Sequence, residues 1–117
     1  IQGRPGKLYY GRGWFQLSWP CNYHKAGQAL NVDLLGNPDR VASDSKLAVD
    51  TALWFYRTNG MAAPAQRGDF AKTTRVINGK LECDQGPGRA AQNVRVATYK
   101  RIRHCFGLGE PSINPTC

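Results

Sequence analysis

Acidic residues are scarce in this chain. Its 117 residues carry eight Asp and Glu against sixteen Lys and Arg, and no glutamate occurs before Glu82. General acid–base chemistry on carboxyl groups therefore has few places to sit. No HExxH pair and no Gly-rich nucleotide loop occurs either, so neither a metalloprotease nor a phosphate-binding reading has a motif behind it. The four cysteines show no CxxC spacing, and only His24 and His104 could join them. Structural zinc wants closely spaced ligand pairs, so no metal is expected, and no cofactor. No apolar run approaches the ~20 residues of a membrane span, and no membrane partner is expected. Asn114-Pro115-Thr116 has the proline that forbids N-glycosylation. With no initiating Met and no signal-peptide pattern, Ile1 reads as a processed or truncated start.

What remains is a foldable, basic chain. Hydrophobic residues make up 41%, with three Trp, five Tyr and four Phe, which argues against a disordered tail. The net charge of +8 is scattered, and densest at Lys100, Arg101, Arg103 and His104. A solvated basic face near a helix C-terminus accounts for that group. Nucleic acid is not an expected partner, because no recognised binding motif accompanies the charge. Attraction to an acidic microbial surface stays open. Cys21, Cys83, Cys105 and Cys117 form an even set, which suits two disulfides in a secreted, extracellular protein. Three connectivities are possible. A bridge from Cys117 would pin the tail of Gly107, Gly109, Pro111 and Pro115, stabilising by roughly 2–4 kcal/mol.

Residues 1–8 read as an irregular lead-in. A short helix is expected from Asn22 to Leu30, closed by Asn31, then a turn over 34–38. Ser43 is a good N-cap for a helix over 44–58, with Leu47, Ala48, Thr51, Ala52 and Phe55 on one face and Leu53 and Trp54 widening it. Such a helix should be largely buried. Asn59-Gly60 stops it, and 61–68 reads as a loop. A short helix from Asp69 brings Phe70, Thr73, Val76 and Ile77 inward until Asn78-Gly79. Residues 85–88 form the next turn. The last helix, 89–106, places Val94, Ala97, Thr98, Ile102 and Cys105 on a core face and ends at Gly107. The fold class is mainly α.

The densest chemistry lies in Tyr9-Tyr10-Gly11-Arg12-Gly13-Trp14-Phe15-Gln16-Leu17-Ser18-Trp19-Pro20-Cys21-Asn22-Tyr23. Aromatic faces and side-chain amides in one short run are what holds a sugar chain. A strand or loop lining a cleft, followed by a helix, is the natural form. Among the acids, Asp44 and Asp69 look like helix-start residues, Asp33 and Asp39 sit by turns, and Glu110 lies in the tail. Glu82, beside Cys83, reads as paired with an Arg. Neither His has a triad context.

Tyr9–Gly13 with Gln16-Leu17-Ser18 and Asn22-Tyr23 resembles the signature of family-19 glycoside hydrolases, the plant-type chitinases. Further blocks agree in order: 33–38, 51–55, 77–83 and 99–101. The resemblance covers roughly residues 5 to 117. It implies a bilobal, lysozyme-like, mainly helical domain (α+β in its superfamily) whose cleft cuts chitin with inversion. One Glu serves as acid and another activates water; both lie N-terminal to the matched segment. Residues 1–117 would then be a single partial domain, the C-terminal part of the catalytic domain. By matching position, Gln16, Ser18, Asn22 and Asn78 take substrate-binding roles, and Tyr10 lines the cleft wall. Glu82 and Arg95 form an ion-pair network supporting the acid. Cys83 matches a cysteine bridged to the C-terminal tail, implying Cys83–Cys117, and Cys21–Cys105 by elimination.

Departures bear on the expected activity. Cys21 stands where the family usually has an aromatic, removing a sugar-stacking contact. Trp14 replaces the usual proline and repacks that wall. The loop after Thr58 is short, so fewer sugar subsites are expected. The expected partners are chitin or chito-oligosaccharide and the N-terminal remainder of the same domain. A chitinase-like binding or defence protein, or a peptidoglycan-cleaving endolysin relative, are the alternatives.

Overall fold

The computed structural model describes every residue except Gln85. Its regular structure is helical: α1 (Pro20–Leu30), α2 (Arg40–Ser43), α3 (Ser45–Thr58), α4 (Ala62–Gln66), α5 (Phe70–Gly79), a π-helical turn (Lys80–Asp84) and α6 (Arg89–Cys105). Among the described residues the only β pairing is an isolated antiparallel bridge between Arg12 and Leu17. The chain divides into two compact units, Ile1–Thr58 and Asn59–Cys117.

The first unit is built around Tyr23. Its ring is fully buried with Leu17, Ala26, Leu34, Val41 and Leu47, and Tyr9, Leu30, Val32 and Trp54 pack on that cluster. Burial of one such side chain contributes about 2–3 kcal/mol. Tyr9 meets the Tyr23 ring edge-on at 5.3 Å, a favoured aromatic geometry. α1 starts on Pro20, whose missing N–H matters least in a first turn. It stops at Asn31, in the left-handed conformation with φ 59°, whose N–H closes onto the carbonyls of Gln28 and Gly27. The chain then folds back so tightly that a Cβ on Gly27 would lie 2.5 Å from the Val32 carbonyl oxygen.

Two expectations for this unit change. Ser43 does not cap α3, because it is taken into the last turn of α2. Asp44 caps instead, its Oδ1 accepting from the N–H groups of Lys46 at 3.0 Å and Leu47 at 3.3 Å. Nor is α3 largely buried: Leu47 and Thr51 are, while Val49 and Leu53 are exposed.

In the second unit, 61–68 is not a loop throughout, since α4 occupies Ala62–Gln66 with Pro64 buried. Pro64 is third in that helix, where first-turn N–H groups have no intrahelical partner to lose. Asp69 caps α5 by accepting from Lys72 N–H at 3.2 Å. Phe70 stacks on Tyr99 of α6 with ring centroids 4.0 Å apart. α5 kinks at Asn78 and runs into the π turn. Of the turn expected over 85–88, Gln85 lies outside the described residues. Gly86 has φ 84°, and its carbonyl accepts from Arg89 N–H.

The inward face of α6 is not the expected one. Val94 is 68% exposed and Ile102 51%, and Ala97 and Cys105 are exposed too, whereas Gln92 is fully buried. Arg95, Val96, Tyr99 and Arg103 are partly buried along the same side as Gln92. Polar anchoring, not apolar periodicity, sets this helix's rotation.

Cys83 and Cys117 form a disulfide with Cα atoms 5.2 Å apart, closing 34 residues of separation. A loop of that size corresponds to about 3–4 kcal/mol of stabilisation in the chain-entropy picture. Cys21 and Cys105 are free, which corrects the second bridge. Elimination presumed that every cysteine is paired. Each unit is instead left with one thiol and no second free cysteine of its own.

Candidate functional site

In the first unit the bridge between Arg12 and Leu17 shapes the loop that carries Gln16. Arg12 and Leu17 exchange backbone hydrogen bonds at 3.2 and 2.9 Å, and both side chains turn inward and are buried. Arg12 is the anchor. Its guanidinium donates to the Leu8 carbonyl, to Tyr23 Oη at 2.9 Å and to Asp39 Oδ1 at 2.7 Å, and lies 3.8 Å from the centre of the Tyr10 ring. Burial opposes its charge, but hydrogen bonds to Tyr23 and Tyr10 outweigh that and raise its pKa. Burial also pushes the Tyr23 phenol up, so it stays a donor, bonding the Tyr10 carbonyl at 2.7 Å. The sequence marked Arg12 only as part of a motif; its length and neighbouring tyrosines were the available signal for a buried cation.

Gln16, Ser18 and Asn22 form a linked series on this frame. Asn22 Nδ2 donates to the Ser18 carbonyl at 3.0 Å, the Ser18 hydroxyl to the Gln16 carbonyl at 2.9 Å, and Gln16 Nε2 to the Gly13 carbonyl at 2.9 Å. Each amide nitrogen is thus tied back to the chain. The side-chain oxygens of Gln16 and Asn22 receive no hydrogen bond among the described residues. Gln16 has φ 54° and Trp19 φ 75° with ψ 139°, conformations that L side chains seldom adopt. Strain of this kind costs about 1–3 kcal/mol per residue and collects at functional sites. Gly11 makes room for the Gln16 amide, since a Cβ there would come 2.7 Å from Gln16 Oε1.

The second unit gathers Asn78, Glu82 and Arg95. Arg95 grips the Glu82 carboxylate as a fork, Nε to Oε1 at 3.0 Å and Nη2 to Oε2 at 2.9 Å, and Asn78 Nδ2 adds a bond to Oε2 at 3.1 Å. The π turn places Glu82 inward, where it is 2% exposed. The Arg95 hydrogen bonds hold its pKa below the usual carboxylate value, overcoming burial, with Asn78 assisting. Gln92, unremarked in the sequence, ties this centre to the tail. Its Nε2 donates to the Glu82 carbonyl and its Oε1 accepts from Cys117 N–H at 2.9 Å. A glutamine among the alanines, valines and arginines of α6 gave little warning of that role.

Seven of the eight acids have a protein donor: Asp33, Asp39, Asp44, Asp50, Asp69, Glu82 and Asp84. Glu110 lies in the tail. No group of three or more His, Cys, Asp or Glu poised to hold a metal occurs among the described residues. The first unit therefore offers a neutral wall of amide oxygens and a hydroxyl, suited to an uncharged polar ligand. The second offers a carboxylate fixed in its ionised form.

The family model for chitinase class I matches residues 2–69. The chain is 46% identical over 112 residues to Chitinase 6 of Oryza sativa subsp. japonica, spanning 96% of this chain and 41% of the rice protein. It is 39% identical over 124 residues to Inactive chitinase-like protein 1 of Hevea brasiliensis, spanning 90% of this chain and 39% of that protein. It is also similar to the crystal structure of a family-19, class IV chitinase from Zea mays. That match has a TM-score of 0.84 and 40% identity over 98% of this chain and 55% of the maize chain. The chain thus spans about two fifths of the length of these curated relatives.

Proposed function

The chain belongs to the chitinase class I family, and on that footing we propose that it supplies the substrate-holding wall of a chitin-hydrolysing enzyme. The substrate is a polymer of β-1,4-linked N-acetylglucosamine. Gln16 and Asn22 accept hydrogen bonds from sugar hydroxyl or acetamido N–H groups through their free amide oxygens, and Ser18 joins them. Tyr10 bounds this wall; within the second unit, and as a separate part of the proposal, Asn78 offers its side-chain oxygen to substrate. The supporting observation is the linked series Asn22–Ser18–Gln16, which fixes the side chains while leaving those oxygens unpartnered.

Inverting hydrolysis needs one carboxyl group to protonate the departing oxygen. A second, about 6.5–9.5 Å away, activates water. Glu82 does neither: a group held ionised by an Arg fork has no proton to give, and at 2% exposure it is closed to an attacking water. Its part is to position, keeping Arg95 and Asn78 in place. The other acids with protein donors serve as helix caps, ion-pair partners and, at Asp33, the acceptor of a turn N–H. Proton transfer then belongs to glutamates on the remainder of the catalytic domain, the proposed partner of this chain. A secreted, extracellular setting fits the disulfide.

A non-catalytic chitinase-like binding protein is the second reading, favoured by likeness to the Hevea brasiliensis relative whose name calls it inactive. Incubating the 117-residue chain with colloidal chitin and chito-oligosaccharides, with product analysis, tests the division of labour. The expected result is oligosaccharide binding in the millimolar range, at about −4 kcal/mol, and no cleavage. Turnover by this chain alone would contradict the assignment of both proton-transfer groups to other polypeptide.

A further inference from the structure

Within the second unit, Gln92 closes a ring with the disulfide. Glu82 and Cys83 are neighbours in the π turn, and Cys83 is bridged to Cys117. Cys117 N–H donates to Gln92 Oε1 at 2.9 Å, and Gln92 Nε2 donates to the Glu82 carbonyl. The path returns to Glu82 through one peptide bond, one disulfide and two hydrogen bonds. Gln92 is fully buried, so each end of its amide depends on its partner in that ring. The Glu82 carbonyl needs a side-chain donor because the turn stops at Asp84. A carbonyl in a π turn looks five residues on, where Pro87 has no N–H to give. Three residues along α6 from Gln92, Arg95 grips the carboxylate of the same Glu82. One face of α6 thus holds Glu82 by its backbone and its side chain, and Asn78 completes the grip.

We propose that Gln92 is a positioning residue that makes the Cys83–Cys117 bridge a redox-set latch on the Asn78–Glu82–Arg95 centre. With the bridge closed, Cys117 is tethered beside Gln92, and the amide is held in the orientation that serves the Glu82 carbonyl. Both cysteines are partly exposed, so a dithiol reductant reaches them. Its thiolate attacks one bridge sulfur, and its second thiol resolves the mixed disulfide. Two electrons and two protons pass to the chain, leaving thiols at Cys83 and Cys117 and a disulfide in the reductant. The freed tail no longer presses Cys117 N–H against Gln92. A buried amide oxygen without a donor is costly, so Gln92 turns, the Glu82 carbonyl is released and the carboxylate loosens from Arg95. The coupling is reciprocal: whatever holds Glu82 also favours the closed bridge. The latch works without substrate.

The test equilibrates the 117-residue protein with mixtures of reduced and oxidised dithiothreitol. Alkylation then counts two thiols in the bridged form, Cys21 and Cys105, and four in the open form. Gln92→Met keeps the length of the side chain and removes the amide. It should raise the equilibrium constant for reduction about tenfold, equivalent to about 30 mV for this two-electron couple. Gly27→Ala, which strains α1 in the first unit, should leave that constant within roughly twofold. In the wild-type chain, NMR signals of Arg95 Nε–H and the Asn78 side-chain amide should move on reduction, while those of the Tyr23 core stay in place. An unchanged constant in Gln92→Met would overturn the latch. So would an equal rise in Gly27→Ala, because the bridge would then report overall stability. Should Gln92→Met fail to fold, the wild-type spectra decide alone. Arg95 and Asn78 signals indifferent to reduction would overturn the latch, as would a collapse that takes the Tyr23 core with it.

Discussion

Glu82 is the one buried acid among the described residues, and it is held by a forked arginine, an asparagine amide and, through its carbonyl, the Gln92 side chain. Removing one partner of a buried pair leaves an uncompensated charge, which typically costs 3–5 kcal/mol, and roughly 3 at this pair because Arg95 is partly exposed. Arg95→Ala should therefore lower the unfolding free energy by about that amount in a denaturant titration. The pair also sets a pH dependence. The folded-state pKa of Glu82 is depressed, so its stabilisation is complete above the unfolded value near 4.3 and fades as pH falls through the lower folded value. Glu82→Gln should flatten the loss of stability on acidification below about pH 4.3. A variant with the wild-type acid slope would place the coupling elsewhere. Arg95 was nameable in advance only through register with known blocks; spacing alone could not choose among sixteen basic residues. The Cys83–Cys117 bridge was legible in the same way. Cys21 and Cys105 were misjudged because an even cysteine count says nothing about the geometry that pairing requires.

At the scale of elements, some chain stops and starts were readable, though the cap of α3 fell on Asp44 and not Ser43. Asn31 ends α1 and Asp69 opens α5 through backbone capping, chemistry local enough to survive in one sequence. Rotation about a helix axis was less readable. Val94 and Ile102 suggested the buried side of α6, but Gln92 and Arg95 are held by bonds to Glu82, and a helix turned to satisfy those exposes the aliphatics. The α2 and α4 helices are four and five residues long, too short for a periodic signal. Gly27 offers a test of how α1 is seated. Alanine improves helix propensity by about 1 kcal/mol. Yet its Cβ would meet backbone, the Val32 carbonyl at 2.5 Å. Overpacking of this sort typically costs 1–3 kcal/mol, so Gly27→Ala should lower the melting temperature by roughly 5–10 °C. A rise would mean that the turn over residues 31–34 yields easily.

The molecule as a whole spans just over half of the solved maize chitinase chain it matches. α3 carries apolar residues on more than one side, yet leaves Val49 and Leu53 exposed. That pattern suits a helix inside a larger domain, in keeping with the proposed parent enzyme. The mainly helical fold and the family were legible because several blocks recur in register along the chain. The site was legible only in part. Gln16, Ser18 and Asn22 stand within seven residues of one another, whereas the polar centre at Glu82 is assembled from the π turn, α6 and the final residue. The central claim is that the Gln16–Asn22 segment holds the sugar chain. It is tested most directly by following backbone and side-chain amide NMR signals of the 117-residue protein as chitotetraose is added. The predicted result is saturable shifts at Gln16, Ser18 and Asn22, including the two side-chain amides, with little change at Glu110. Shifts absent from this segment at saturating sugar, or confined to residues remote from it, would contradict the claim.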